Sequence, residues 1–283
     1  KAENLQKIGA FKFRGAMNSI LKLDDDKKNI LAWSSGNHAQ AIASACYLTN
    51  KKATIVMPQD SPNAKLNGTK SWGANIVTFD RYSESREEIG AALAKKINAE
   101  IIPPFDHPDV INGQGTVGYE IISDFEKNNL KPDLVLCCCG GGGLIAGVGT
   151  AIKAKYPNVP VYAVEPEDYN DTFLSLKNNK ITEVDVSKKS ICDSLLASKP
   201  GELTFSINKK NLSGSLLVSD LEAMKAMKYA FKYFKIILEP GGAVALASAL
   251  FKKIDIKNKT VVIIASGGNV DPEIFEKSLR TSI

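Results

Sequence analysis

The run Asp-Leu-Val-Leu-Cys-Cys-Cys over 133–139, followed by Gly140, Gly141, Gly142 and Gly143 and then Leu-Ile-Ala-Gly, constrains the fold more than any other stretch. An unbroken apolar run of this length is the pattern of a strand buried on both faces, and such strands belong to parallel sheets covered by helices. The glycines open the next helix. With no side chains in the way, their backbone N–H groups can converge on an anion, and the helix dipole favours negative charge at that end. A chain built around such a unit is expected to be α/β, with a phosphate held at the glycine turn.

The rest of the chain repeats the theme. Apolar runs at 30–33, 53–57, 75–79, 101–102, 159–164 and 260–265 alternate with helical patterns at 14–23, 37–47, 85–97, 109–128, 143–156, 219–234, 242–252 and 272–279, with a further helix opening at Ser61-Pro62. Ser85 with Glu88 and Ser219 with Glu222 have capping-box spacing. Strands alternating with helices predict doubly wound parallel sheets. The segment from Asp168 to Gly214 is less regular. The 283 residues suffice for one large domain or two moderate ones.

Composition removes several function classes. Net charge is +5, from 36 Lys and Arg against 31 Asp and Glu, and the lysines are scattered. No basic stripe with interleaved aromatics points to nucleic acid. No apolar run reaches the roughly 18 residues of a membrane span. Cys137, Cys138 and Cys139 would alternate between strand faces, which suits neither a zinc site nor a disulfide framework. They read as small core residues in a reducing compartment, so the expected location is cytoplasmic. The chain opens on Lys1 with no initiator Met and reads as a fragment.

Three other stretches carry chemistry. Ser34-Ser35-Gly36-Asn37-His38 is a polar loop that opens a helix after a strand. Its N–H groups and hydroxyls can hold a carboxylate, and the Asn37 amide can donate to a phenolate-type oxygen. Simple N-capping accounts for the same residues. His38 reads as a packed or capping-region residue rather than a catalytic one. Ser266-Gly267-Gly268-Asn269 ends another strand, and Ser266 can hydrogen-bond a ring nitrogen or simply form a turn. In Ala10-Phe11-Lys12-Phe13-Arg14-Gly15-Ala16 a lysine stands between two rings. In an extended run it either points away from both or lies in a pocket they wall. A solvated lysine is the ordinary outcome; a desolvated one can lose its proton and form a Schiff base. Gly141-x-Gly143-x-x-Ala146, with Glu165 ending the next strand, also fits a dinucleotide fingerprint. A dinucleotide explains one of the three loops. A phosphorylated ring bonded to a lysine explains all three and Lys12.

These motifs, with Glu3-Asn4-Leu5-Gln6-Lys7, Ser34 to Gln40 and Asn112-Gly113-Gln114-Gly115-Thr116, resemble in the same order the serine/threonine dehydratases and serine racemases. Those are pyridoxal-phosphate (PLP) enzymes of fold type II, related to the tryptophan synthase β chain. The resemblance covers essentially the whole chain. It implies two doubly wound domains, a large one from 1–28 and 107–283 and a small one at 29–106 inserted in it, with the cofactor between them. The segment that precedes the lysine motif in the family is lacking. Lys12, after Phe11, would carry the cofactor and remove the Cα proton. Gly140, Gly141, Gly142, Gly143 and Leu144 would hold its phosphate, Asn37 its ring hydroxyl, and Ser266 would face its ring nitrogen. Ser34, Ser35, Gly36 and His38 would bind the substrate carboxylate, with Ser35 the second acid/base in the racemase branch. Glu165, Asp171 and the Tyr169 carbonyl resemble a site for Mg²⁺ or Ca²⁺, for which two solvated acids are the plainer account. The implied activity is dehydration and deamination of L-threonine or L-serine. Serine racemase with a dehydratase side reaction is the alternative, and a dinucleotide oxidoreductase or a binding module lies outside the class. The implied partners are a small amino-acid substrate and a second copy in a homodimer.

Overall fold

The computed structural model describes residues 1–34, 36–61, 63–80 and 83–282, without the side chains of 63 and 64. Ser35 therefore lies outside the described residues. The chain divides into two compact units, one of Lys12–Gly113 and a larger one of Lys1–Phe11 with Gln114–Ile283.

The Lys12–Gly113 unit contains α1 (Lys12–Leu21), β1 (Asn29–Trp33), α2 (Asn37–Leu48), β2 (Lys52–Pro58), α3 (Asn63–Lys70), β3 (Asn75–Phe79), α4 (Arg86–Ile97), β4 (Ala99–Ile101) and the start of α5 (Pro108–Lys127). Its strands are parallel in the order β3-β2-β1-β4, with Leu31 paired to Thr54 on one side and Ile101 on the other. Leu31, Val56, Phe79 and Ala94 form one buried cluster between this sheet and α4. Ser85 caps α4 by accepting the Glu88 N–H at 3.2 Å, as its spacing predicts.

The larger unit adds β5 (Leu134–Cys138), α6 (Gly143–Lys155), β6 (Val161–Pro166), α7 (Asp171–Asn178), α8 (Glu202–Asn211), β7 (Gly214–Val218), α9 (Asp220–Tyr229), α10 (Pro240–Leu250), β8 (Val261–Ile263) and α11 (Pro272–Arg280). Its sheet is also parallel, in the order β7-β6-β5-β8. Every residue of β5 is buried, which is why its sequence is continuously apolar. All five cysteines are buried and unbridged, and the triplet lies in the core as its sequence suggests. Ser219 and Glu222 complete a full capping box on α9.

Both sheets have the same order, in which the first strand of each lies between the second and the fourth. Connections leave the first strand toward opposite sides, so each sheet has a switch point at its carboxyl edge, where α/β sheets bind ligands. In the larger unit the switch point lies between β5 and β8, and in the other between β1 and β4.

One feature departs from the sequence reading. Lys12 is the first residue of α1 rather than part of an extended run, so alternation of faces does not govern it or Phe13. The compact units divide at 11/12 and 113/114. The reason is close packing within the smaller unit. The Gly113 Cα approaches Arg14 and Gly15 so tightly that a Cβ there would lie 2.6 Å from the Arg14 carbonyl oxygen, and Asn18 donates to the Asp109 carbonyl at 2.7 Å.

Candidate active site

In the larger unit, β5 ends at Cys138 and its chain turns through the four glycines into α6. Gly141, Gly142, Gly143 and Leu144 are buried. Gly142 is the N-cap of α6 with φ +93°, a left-handed conformation that only glycine adopts freely, and a Cβ on it would lie 2.7 Å from Asn208 Nδ2. No side chain caps the helix. The loop carbonyls are taken up from α8: Thr204 Oγ1 donates to Gly141 O at 2.7 Å and Asn208 Nδ2 to Gly142 O at 3.3 Å. The N–H groups of Gly140, Gly141, Gly142 and Gly143 meet no acceptor among the described residues. Buried N–H groups are almost always bonded, so a converging set without acceptors fits an anion such as a phosphate monoester.

On the neighbouring strand β8, the chain runs on to Ser266, which is 4% exposed. Cys138 Sγ donates to its Oγ at 3.2 Å, leaving the serine proton free to turn elsewhere. The segment Lys1–Phe11 is strapped along this loop. Phe11 N–H donates to Ser266 O at 3.1 Å, Gly268 N–H to Gly9 O at 2.9 Å and Asn269 Nδ2 to Ile8 O at 2.7 Å. The main-chain position of Phe11 is set by the same loop that carries Ser266.

In the other unit, Gly36 is the N-cap of α2, and among the described residues no side chain caps that helix. The N-capping account of Asn37 therefore fails: it is the first helical residue, and it is buried. Ser34 Oγ accepts the Gly36 N–H at 3.2 Å. The chain beyond β4 supplies two carbonyls. His38 Nε2 donates to Ile102 O at 2.8 Å, and half-buried Lys12 donates from Nζ to Pro104 O at 2.5 Å. Burial, reinforced by the charge of Lys12, pulls the His38 pKa down to about 3, so the ring is neutral at any working pH. This agrees with a packed rather than acid–base role for His38. The Ile102 and Pro104 carbonyls, like Thr204, Asn208 and Cys138, carry no sequence signal that marks them as site residues.

Glu165 and Asp171 are both fully buried, which removes the account of two solvated acids. Glu165 ends β6 and accepts the Thr172 N–H at 2.8 Å, the Phe173 N–H at 2.9 Å and the Ser215 hydroxyl. Its carboxylate thus caps α7 and is unavailable to a ribose, so the dinucleotide fingerprint lacks its acid. Neither carboxylate oxygen of Asp171 bonds to another described residue. Burial pushes Glu165 up to about 7, and burial plus the Glu165 charge pushes Asp171 up to about 8. Tyr169 is buried, and its hydroxyl lies between the Val186 and Lys188 carbonyls.

Residues 1–267 match the family described as pyridoxal-phosphate dependent enzyme. The chain is 44% identical over 273 residues to the L-threo-3-hydroxyaspartate ammonia-lyase of Saccharomyces cerevisiae, covering 96% of this chain and 82% of that one. It is 41% identical over 277 residues to the serine racemase of Schizosaccharomyces pombe, covering 97% and 84%. The structure of the processed form of threonine deaminase isoform 2 from Solanum lycopersicum superposes with a TM-score of 0.89 at 35% identity, covering 100% of this chain and 77% of that one. A loop of unanswered amides fit for a phosphate, in a parallel α/β fold shared with these proteins, leads to one assignment: the chain belongs to the fold type II pyridoxal-phosphate-dependent enzymes, in the family of the serine/threonine dehydratases and serine racemases.

Proposed function

We propose that the chain is an ammonia-lyase for 3-hydroxy-2-amino acids, converting L-threonine and L-serine to 2-oxo acids and ammonia. The observation that carries this is the set of unanswered N–H donors of Gly140–Gly143 at the switch point between β5 and β8. In this reading they hold the cofactor phosphate, Asn37 meets the ring hydroxyl, and Ser266 meets the ring nitrogen. Pyridoxal phosphate, when bound, supplies a sink for negative charge at Cα. A neutral serine hydroxyl at the ring nitrogen favours loss of a β-substituent over transamination.

The chain's own groups do the rest. Ser34, Ser35, Gly36 and the N-terminal end of α2 bind the substrate carboxylate. The Lys12 amine removes the Cα proton, and the Pro104 carbonyl receives the resulting ammonium in the geometry seen here. The β-hydroxyl departs as water, and the enamine released hydrolyses to the 2-oxo acid and ammonia. Five buried, unbridged cysteines suit a reducing cytoplasm. A homodimer is part of the same reading.

The test is a product assay on L-threonine, L-serine, D-serine and L-threo-3-hydroxyaspartate, with wild type and Ser35→Ala. Racemisation needs a second acid/base on the opposite face of the substrate, whereas elimination needs Lys12 alone. Wild type is expected to give chiefly 2-oxo acid, and Ser35→Ala to raise KM about tenfold through lost carboxylate hydrogen bonds. Exchange of L- and D-serine at a rate comparable to elimination, lost in Ser35→Ala while elimination persists, would identify a racemase instead.

Glu165, Asp171 and the Tyr169 carbonyl are proposed to bind Mg²⁺ or Ca²⁺, supported by two buried carboxyls of which one lacks partners among the other described residues. Without a cation both carboxyls hold protons more tightly folded than unfolded. Their stability contribution is intact below about pH 4, the unfolded carboxyl range, and is lost as pH rises through about 7 and 8. In chelator, the melting temperature of wild type relative to Asp171→Asn is expected to fall by a few degrees between pH 5 and pH 8. Added Mg²⁺ or Ca²⁺ should restore wild type only. A pH-independent difference would mean that Asp171 does not titrate in this range.

A further inference from the structure

Gln114 is 1% exposed, and neither its Oε1 nor its Nε2 has a hydrogen-bond partner among the described residues. A buried carboxamide with two donors and an acceptor unmet is rare in a native protein unless a ligand or water meets it. On α5, Gln114, Val117 and Ile121 lie three and four residues apart and share one buried face. Val117 and Ile121 pack into the cluster formed with β5, Leu144 and Val148. The adjoining glycine row faces α6. A Cβ on Gly115 would lie 3.3 Å from the Gly147 carbonyl oxygen, and one on Gly118 would lie 2.8 Å from the Ala151 Cβ. Contacts thus advance along both helices together. Gln114, a turn before Gly118, falls level with the first turn of α6, where the Gly140–Gly143 amides stand without acceptors.

We propose that Gln114 is a ligand of the cofactor phosphate, its carboxamide N–H donating to the anion that the glycine amides hold. The inference rests on the phosphate-loop reading above and extends it to a side chain from a different helix. Backbone amides and a helix dipole fix an anion from the α6 end; a carboxamide from α5 adds a directional donor, and its Oε1 can accept from a singly protonated phosphate.

The test separates the phosphate from the rest of the cofactor. The full chain, resolved of cofactor, is titrated with pyridoxal phosphate and with pyridoxal, in wild type, Gln114→Met and Gln114→Glu. Stabilisation by inorganic phosphate is followed by thermal melting in each. Gln114→Met is expected to weaken pyridoxal phosphate binding about tenfold or more, the loss of a hydrogen bond to a charged group, and to leave pyridoxal binding unchanged. It should also lose most of the melting shift given by inorganic phosphate. Gln114→Glu should weaken pyridoxal phosphate further, because a carboxylate repels it; if that variant does not fold, Gln114→Met carries the test. Equal losses for both ligands, or no loss for either, would make Gln114 a structural amide and overturn the proposal. Failure of wild type to bind pyridoxal phosphate at all would overturn the phosphate reading itself, a different outcome visible before any variant is made.

Discussion

Lys12→Ala is expected to abolish turnover, with a loss of at least about 10⁴-fold, and to strip the purified protein of its visible cofactor absorbance. In the proposed reading two functions are removed together, the amine that bonds the cofactor aldehyde and the base that takes the Cα proton. Position explains why no other lysine substitutes. Lys12 opens α1 directly after Phe11, whose N–H is bonded to the Ser266 carbonyl, and its Nζ is guided by the Pro104 carbonyl. Lys22, beyond the far end of α1, is exposed and paired with Asp109. Lys12→Arg separates charge from chemistry, since a guanidinium keeps the Pro104 contact available but neither deprotonates nor bonds an aldehyde. It should be as inactive as Lys12→Ala. Borohydride reduction of wild type should fix the cofactor on the peptide that contains Lys12. A visible band or normal L-threonine turnover in Lys12→Ala would overturn the assignment.

The features legible in the sequence were those encoded by short-range pattern. β5 is buried on both faces, so its apolar run is unbroken, and the glycine turn that follows stands out by its missing side chains. The capping boxes and the strand–helix alternation are local in the same way, and they suffice for the two parallel sheets. What was not legible depends on contacts remote in sequence. β7 is a half-buried edge strand that opens on glycine, so Gly214–Val218 shows neither alternation nor a long apolar run. The helices α7 and α8 were hidden for a related reason. Glu165, on the preceding strand, accepts the first N–H groups of α7, while Asn170 at its N-cap makes no side-chain cap bond. The division at 11/12 and 113/114 depends on a glycine of α5 meeting a glycine of α1 nearly a hundred residues earlier, a fit no window on the sequence can register.

The candidate site divides along the same line. Lys12, Asn37, the four glycines and Ser266 are the proposed ligand-meeting groups because their loops carry recognisable residue types. The groups that aim them carry no such mark: Pro104 and Ile102 act through carbonyls, which every residue has, and Thr204, Asn208 and Cys138 are typical core or surface residues in their own elements. Side-chain identity marks the groups that meet a ligand, whereas the groups that orient them are defined only by the fold.

Gly242 is such a residue, and Gly242→Ala is expected to cripple the protein although it adds only one methyl group. Gly242 is the third residue of α10, a helix buried from Pro240 to Ala249, and a Cβ on it would collide with the Gly267 carbonyl oxygen and lie 2.9 Å from the Gly267 nitrogen. Both partners are backbone. Gly267 is held on its other side by the bridge to Ala10, and its carbonyl accepts the Glu239 N–H at 3.0 Å, so neither the helix nor the loop can give way freely. Overpacking of this kind costs about 1–3 kcal/mol. The functional loss should be larger, because the loop that must shift carries Ser266 and sets Phe11, the residue before Lys12. A displacement of about 1 Å there can cost about 10²-fold in rate. Gly241→Ala is the control. Its Cβ would meet the Ser194 hydroxyl and the Leu195 side chain, which can rotate aside. Melting temperature, cofactor absorbance and kcat/KM are the measurements. Gly242→Ala should lose kcat/KM and alter the absorbance where Gly241→Ala loses little beyond stability; equal behaviour of the two would show that the α10 contact does not hold the Ser266 loop in place.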